Sequence, residues 1–168
     1  MNFSSTFSLL PLISLLAACS TPHPFPTPNP SWKSHLGQLK YHDASRSLIG
    51  DVLVQKNSPT DFYLDFQKTG GISLISLHED ATTARVEGLL AHYSWQGSPS
   101  NPPKHLLPWI ALREAFLTPP LTGSYTKSFT TPPPTSWKIS ASVSNGHLQT
   151  LSCQIQNSPA QFDFHFHP

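Results

Sequence analysis

Residues 32–168 are dominated by an apolar/polar period of two, the spacing of half-buried β-strands. Between Asp61 and Gln67, Phe62, Leu64 and Phe66 fall on one face, while Asp61, Tyr63 and Asp65 fall on the other. Leu48 to Gln55 is a mostly apolar run rich in β-branched residues, and reads as a strand. Thr69-Gly70-Gly71 predicts a hairpin turn into Ile72–Leu77, where the alternation slips phase between Leu74 and Ile75. One extra residue on one strand produces such a slip, so a β-bulge is expected there. Glu79-Asp80-Ala81 reads as the next turn, followed by strands at Ala84–Gly88 and His92–Trp95. In the C-terminal third, Trp137, Ile139, Ala141 and Val143 alternate with Lys138, Ser140 and Ser142. Ser144-Asn145-Gly146-His147 carries an Asn-Gly turn, whose central residues accept positive φ. Leu148–Gln156 and Gln161–His167 complete the strands, with Phe162, Phe164 and Phe166 facing inward.

One stretch breaks this rhythm. Pro102–Leu117 holds Leu106, Trp109, Ile110, Leu112, Phe116 and Leu117 at helix-compatible positions, with Lys104, Arg113 and Glu114 as polar members. Pro108 lacks an amide donor, so it predicts either a kink or a helix that starts there; Pro119-Pro120 predicts the stop. The expected fold is mainly β with one inserted helix (α+β): a curved antiparallel sheet of roughly seven strands.

The N-terminus has a different pattern. Phe7–Ala18 is apolar but shorter than the ~20 residues that span a bilayer, and it has the length of an export-signal core. It ends in Leu16-Ala17-Ala18-Cys19, which resembles the lipobox of bacterial lipoproteins. Small residues suit a narrow peptidase subsite, and the Cys19 thiol is the nucleophile that would accept a diacylglycerol group. Each acyl methylene then buried in a membrane contributes about 0.8 kcal/mol of anchoring. Met1–Thr6 departs from the usual signal by carrying no Lys or Arg. By resemblance to enterobacterial sorting, Ser20 favours a periplasm-facing anchor on the outer membrane. Thr21–Pro30 alternates proline with other residues and is expected to be extended, at about 3.1 Å per residue, giving a spacer of roughly 30 Å. The expected division is thus 1–18 signal, 19–31 lipidated cysteine and tether, and 32–168 folded domain.

Charge and chemistry narrow the function mainly by exclusion. Ten Lys+Arg face nine Asp+Glu, so no net field favours nucleic acid, and only 11% of residues are charged. The eighteen prolines cluster at 22–30, 99–108, 119–120 and 132–134, which argues for rigid connections rather than a helical array. Cys153 alternates onto the apolar side of its strand and reads as an inert buried thiol. The sequence carries no nucleophile elbow, zinc-protease pair, CxxC, or phosphate loop. His165 and His167 form an HxH on one strand face, but Asp163 shares that face and no fourth ligand is evident. No catalytic residue is named, no metal or cofactor is expected beyond acyl groups on Cys19, and the chain does not read as an enzyme.

The order and phrasing of these elements resemble the LolA/LolB lipoprotein-carrier superfamily, and within it the LolB branch, whose members are themselves lipoproteins. The likeness rests on Asp61–Phe66, the glycine turn, Ile72–Leu77, Ala84–Gly88, the Leu106–Leu112 segment and the closing strands from Trp137 to Phe166. The projecting loop with an exposed leucine found in LolB has no identifiable counterpart. The resemblance implies an unclosed β-barrel around a helix, with an apolar cavity that takes acyl chains. Residues expected to line it are Phe62, Leu64, Phe66, Leu74, Leu106, Trp109, Ile110, Phe116, Trp137 and Phe164. A short helix covers such a concave face only in part, which leaves two expectations open. One is a carrier for acyl chains of lipids or lipoproteins, or a partner of a periplasmic carrier. The other is a structural or interaction lipoprotein with a closed core and a docking face built from Tyr63, Trp95 or the prolines.

Overall fold

The computed structural model describes residues 23–57, 59–117, 123–129 and 135–168; the expected signal segment, Cys19 and Pro119-Pro120 lie outside them. The alternating segments become ten strands: β1 (Lys33–His42), β2 (Ser47–Lys56), β3 (Phe62–Lys68), β4 (Ile72–Glu79), β5 (Ala84–Gly88), β6 (Tyr93–Gly97), β7 (Gly123–Phe129), β8 (Thr135–Ser144), β9 (His147–Ile155) and β10 (Gln161–Phe166). They form one curved antiparallel sheet in the order β6-β5-β4-β3-β2-β1-β10-β9-β8-β7. The two outer strands do not pair, so the barrel is unclosed.

The sheet has more strands than the roughly seven expected, and two of them, β1 and β7, match no segment read from the sequence because their signal is weak. In β1 the inward positions are Gly37, Leu39 and Tyr41, and a glycine in an inward position hides the period. Strand β7 has no long apolar face in its sequence, GSYTKSF. The bulge is where the phase slip put it: Phe66 pairs with Ile75 and Gln67 with Ser73, leaving Leu74 as the extra residue. Leu74 and Ile75 are accordingly both buried. The Asn-Gly hairpin is also present, with Asn145 at φ 52° and Gly146 at φ 78°.

The helical segment is shorter than Pro102–Leu117. It comprises α1 (Leu107–Ile110) and α2 (Leu112–Leu117), interrupted at Ala111, with Pro108 in the first turn. Pro102 and Pro103 have no amide hydrogen, and the chain approaches α1 through turns onto the Pro103 carbonyl. Both helices lie on the concave face. Trp109 touches Tyr41, Phe66 and Phe162, while Phe116 touches Phe62, Phe164 and Phe166. Curvature this tight needs Gly50: a Cβ there would lie 2.0 Å from the Gln67 carbonyl oxygen.

The proline-rich segment differs from a free spacer. Residues 23–29 form neither helix nor strand, but His23 reaches the Asp80 carboxylate and Phe25 packs edge-on against His78. Trp32 is buried where this segment enters β1. The segment therefore lies against the outer face of β4, because its aromatic residues find partners there.

Candidate functional site

The concave face has two ends, set by strand register. Lys56, Phe62 and Glu79 are level with one another at one end, and Lys68 and Ile72 are paired at the other. Helix α2 is tied to the first. Lys56 donates from Nζ to the Phe116 carbonyl oxygen, so a cation meets the C-terminal turn of the helix. Arg113 donates from Nη1 to the Asp80 carbonyl oxygen at 2.9 Å and lies 3.2 Å from Glu79 Oε1. Trp109 covers the middle of the face.

Glu79 corrects the sequence reading. It is not turn chemistry: it ends β4 with its side chain inward and 4% exposed, and only Asp80 forms the turn. Burial pushes the Glu79 carboxyl up to about 8; the Arg113 guanidinium opposes this, and Glu114 and Asp80 add to it. Glu79 Oε2 has no hydrogen-bond partner among the described residues. Burial alone would raise Asp80 too. Its hydrogen bonds from the Thr82 and Thr83 amides, His23 and the Thr82 hydroxyl prevail and hold it down at about 2.

All ten residues expected to line the acyl cavity are brought together in one cluster: Phe62, Leu64, Phe66, Leu74, Leu106, Trp109, Ile110, Phe116, Trp137 and Phe164. None is more than 6% exposed, so they form the packed floor and lid of the concave face. Trp137 Nε1 is buried there with no hydrogen-bond partner among the described residues. The concave face does not end with them. Past the reach of the helices, at the Ile72 end, lies an open groove of about 740 Å³ lined by Ile72, Ser73, Gly88, Leu89, His92, Tyr93 and Ser94. Ile72, Leu89 and Tyr93 are 54%, 65% and 88% exposed.

Of these residues, sequence reasoning passed over Leu89 and gave Tyr93 only as part of a strand. The available signal was the run Gly88-Leu89-Leu90-Ala91, too apolar for an ordinary turn. It forms a 3-10 turn at Leu89–Ala91 that buries Leu90 and Ala91 and turns Leu89 outward. Conversely, Tyr63 and Trp95 are not a free docking face: Tyr63 packs on His78, and Trp95 packs against the core.

The remaining polar chemistry is dispersed. A hollow of about 340 Å³ includes Lys40, Ser140, Thr150, Ser152, Asp163 and His165 in its lining. There Ser152 donates its hydroxyl to Asp163 at 2.6 Å, not to His165, and Gln161 donates to both Asp163 oxygens at 3.0 Å. Cys153 is buried, and burial lifts its thiol far above the ordinary range, as expected of a packing residue. Among the described residues no three His, Cys, Asp or Glu side chains gather into a metal site. None of the described helices is long and apolar enough to cross a membrane.

Fold and site together define a mainly β chain whose unclosed antiparallel sheet holds a short helical segment on its concave face. No protein-family model and no curated protein matches the chain.

Proposed function

We propose that the chain is an outer-membrane lipoprotein, anchored through acyl groups on Cys19 and facing the periplasm, that takes up acyl chains of lipids or lipoproteins on its concave face. It belongs on this reading with the LolA/LolB-like half-barrels and acts without a catalytic residue. The observation that carries the proposal is the partial cover of the concave face: the helices close its Glu79 end and middle, and apolar side chains remain exposed at its Ile72 end. Reversible burial of an acyl chain needs only such a face.

A second reading has its own support. The ten predicted cavity residues are packed against one another, as in a closed core, which suits a structural or interaction lipoprotein. Native mass spectrometry of the Cys19→Ser chain with added long-chain fatty acid or lipopeptide separates the two. A saturable one-to-one adduct is expected; a mass unchanged at every ligand concentration would leave the interaction reading in its place. Anchoring itself is tested by metabolic labelling with an alkyne fatty acid, which should tag the wild-type chain and not Cys19→Ser.

A further inference from the structure

Building on the acyl-binding proposal, we infer that the acyl chain of an incoming amphiphile is received in the groove between Ile72, Leu89 and Tyr93, beside the helices rather than beneath them. Register places the Ile72, Gly88 and Tyr93 wall of this groove on the core side of the sheet, with Ser73 and Ser94 at the rim towards the other face. Gly88 pairs with Tyr93 and the next inward pair is Val86 with Trp95, so the groove continues the face that holds Leu77 and Val86. Its shape depends on the backbone. Gly88 sits at φ 113°, and a Cβ there would lie 2.8 Å from the Leu74 carbonyl oxygen. His92 and Tyr93 follow at φ 55° and 105°, a conformation side-chain-bearing residues rarely hold, and one that sets Tyr93 out in solvent.

Three features select the occupant. First, among the described residues no lysine, arginine, aspartate or glutamate lines the groove, so its trough matches an uncharged apolar chain. Second, about 740 Å³ is the scale of a small-molecule site, not of a protein–protein face. Third, polar groups sit among the apolar ones: the Ser94 hydroxyl and the His92 imidazole, which stacks on His105 at 5.0 Å, whereas the Ser73 hydroxyl is already donated to Asp65 at 3.2 Å. Hydroxyl and imidazole N–H groups suit the oxygen acceptors of a carboxylate or ester head.

The test uses the Cys19→Ser chain and a long-chain fatty acid bearing a terminal diazirine. After irradiation, label should map to residues 72–74 and 88–95, and be displaced by excess unlabelled fatty acid. Ile72→Lys with Leu89→Lys should weaken labelling at least tenfold while leaving the melting temperature unchanged, since both side chains are more than half exposed. Displaceable label confined to 106–116 and 162–166 would overturn the groove but keep acyl binding. Absence of any displaceable label would remove both proposals. If the double variant instead lost binding to neutral phospholipid vesicles and kept full fatty-acid labelling, the groove would be a membrane contact and the inference would fall.

Discussion

At the residue scale, Glu79 is the side chain whose setting departs most from its chemistry. A carboxyl raised from 4.5 to about 8 by burial binds a proton more tightly in the folded state than in the unfolded one. Its contribution to stability is therefore complete below about 4.5 and is lost as pH rises toward about 8. Asp80, held down at about 2 against an ordinary 3.8, acts with the opposite sign: its contribution is present above 3.8 and lost as pH falls through about 2. Thermal unfolding of the wild type should thus show stability falling by a few kcal/mol between pH 4.5 and 8. Glu79→Gln, which mimics the protonated form, should remove most of that slope; an unchanged slope would show that Glu79 is ionised throughout. The inward Phe62, Leu64 and Phe66 were legible in the sequence because alternation alone fixes their face. Glu79 was not, because a Glu-Asp pair before small polar residues looks the same whether the first carboxylate ends a strand or starts a turn.

At the scale of elements, the proline-rich segment and helix α2 meet on opposite sides of one short piece of chain. Asp80 takes His23 with its carboxylate and Arg113 with its carbonyl oxygen, while Glu79 takes Arg113 from within. The segment's other hold is Phe25 on His78, itself edge-on to Tyr63 at 4.4 Å between ring centres. Burial, with Arg85 nearby, lowers the His78 pKa, which keeps that ring neutral against its aromatic partners. Phe25→Ala should release the segment without disturbing the sheet. Hydrogen exchange of the Trp32 amide, which donates to the Asn29 carbonyl at 3.0 Å, should then rise by about tenfold or more, with the β3 and β4 amides unchanged. If the Trp32 amide stays protected, Phe25 is not what holds the segment down. An extended conformation could be read from alternating prolines, which fix φ and remove donors. Docking could not, because it depends on a histidine and a tyrosine brought together from β4 and β3. The same limit explains the helix: its apolar residues were evident, but the interruption at Ala111 follows from fitting Trp109 and Phe116 into different parts of a curved face.

For the whole molecule, the unclosed sheet depends on its helical filling. Trp109 joins β1, β3 and β10 through Tyr41, Phe66 and Phe162, so one side chain braces strands from both halves of the chain. Trp109→Ala should cost roughly 3–5 kcal/mol, read as a lower urea midpoint with little change in slope. A cost under about 1 kcal/mol would show that the concave face closes up without the indole. The antiparallel order of successive strands was legible from turns and alternation, whereas the joining of β1 to β10 was not. No local pattern marks two strands so far apart as neighbours. That joining has a kinetic consequence. Gly37 pairs with Phe166, and the two hairpin series, β1–β6 and β7–β10, share no strand pairing except this seam. Long-range closure is slow because a large loop must be ordered before its contacts form. The first strand therefore keeps an open edge until the last has been synthesised, and on the export route proposed above, N-terminus first through a channel, the sheet would be completed only after the chain emerges on the other side.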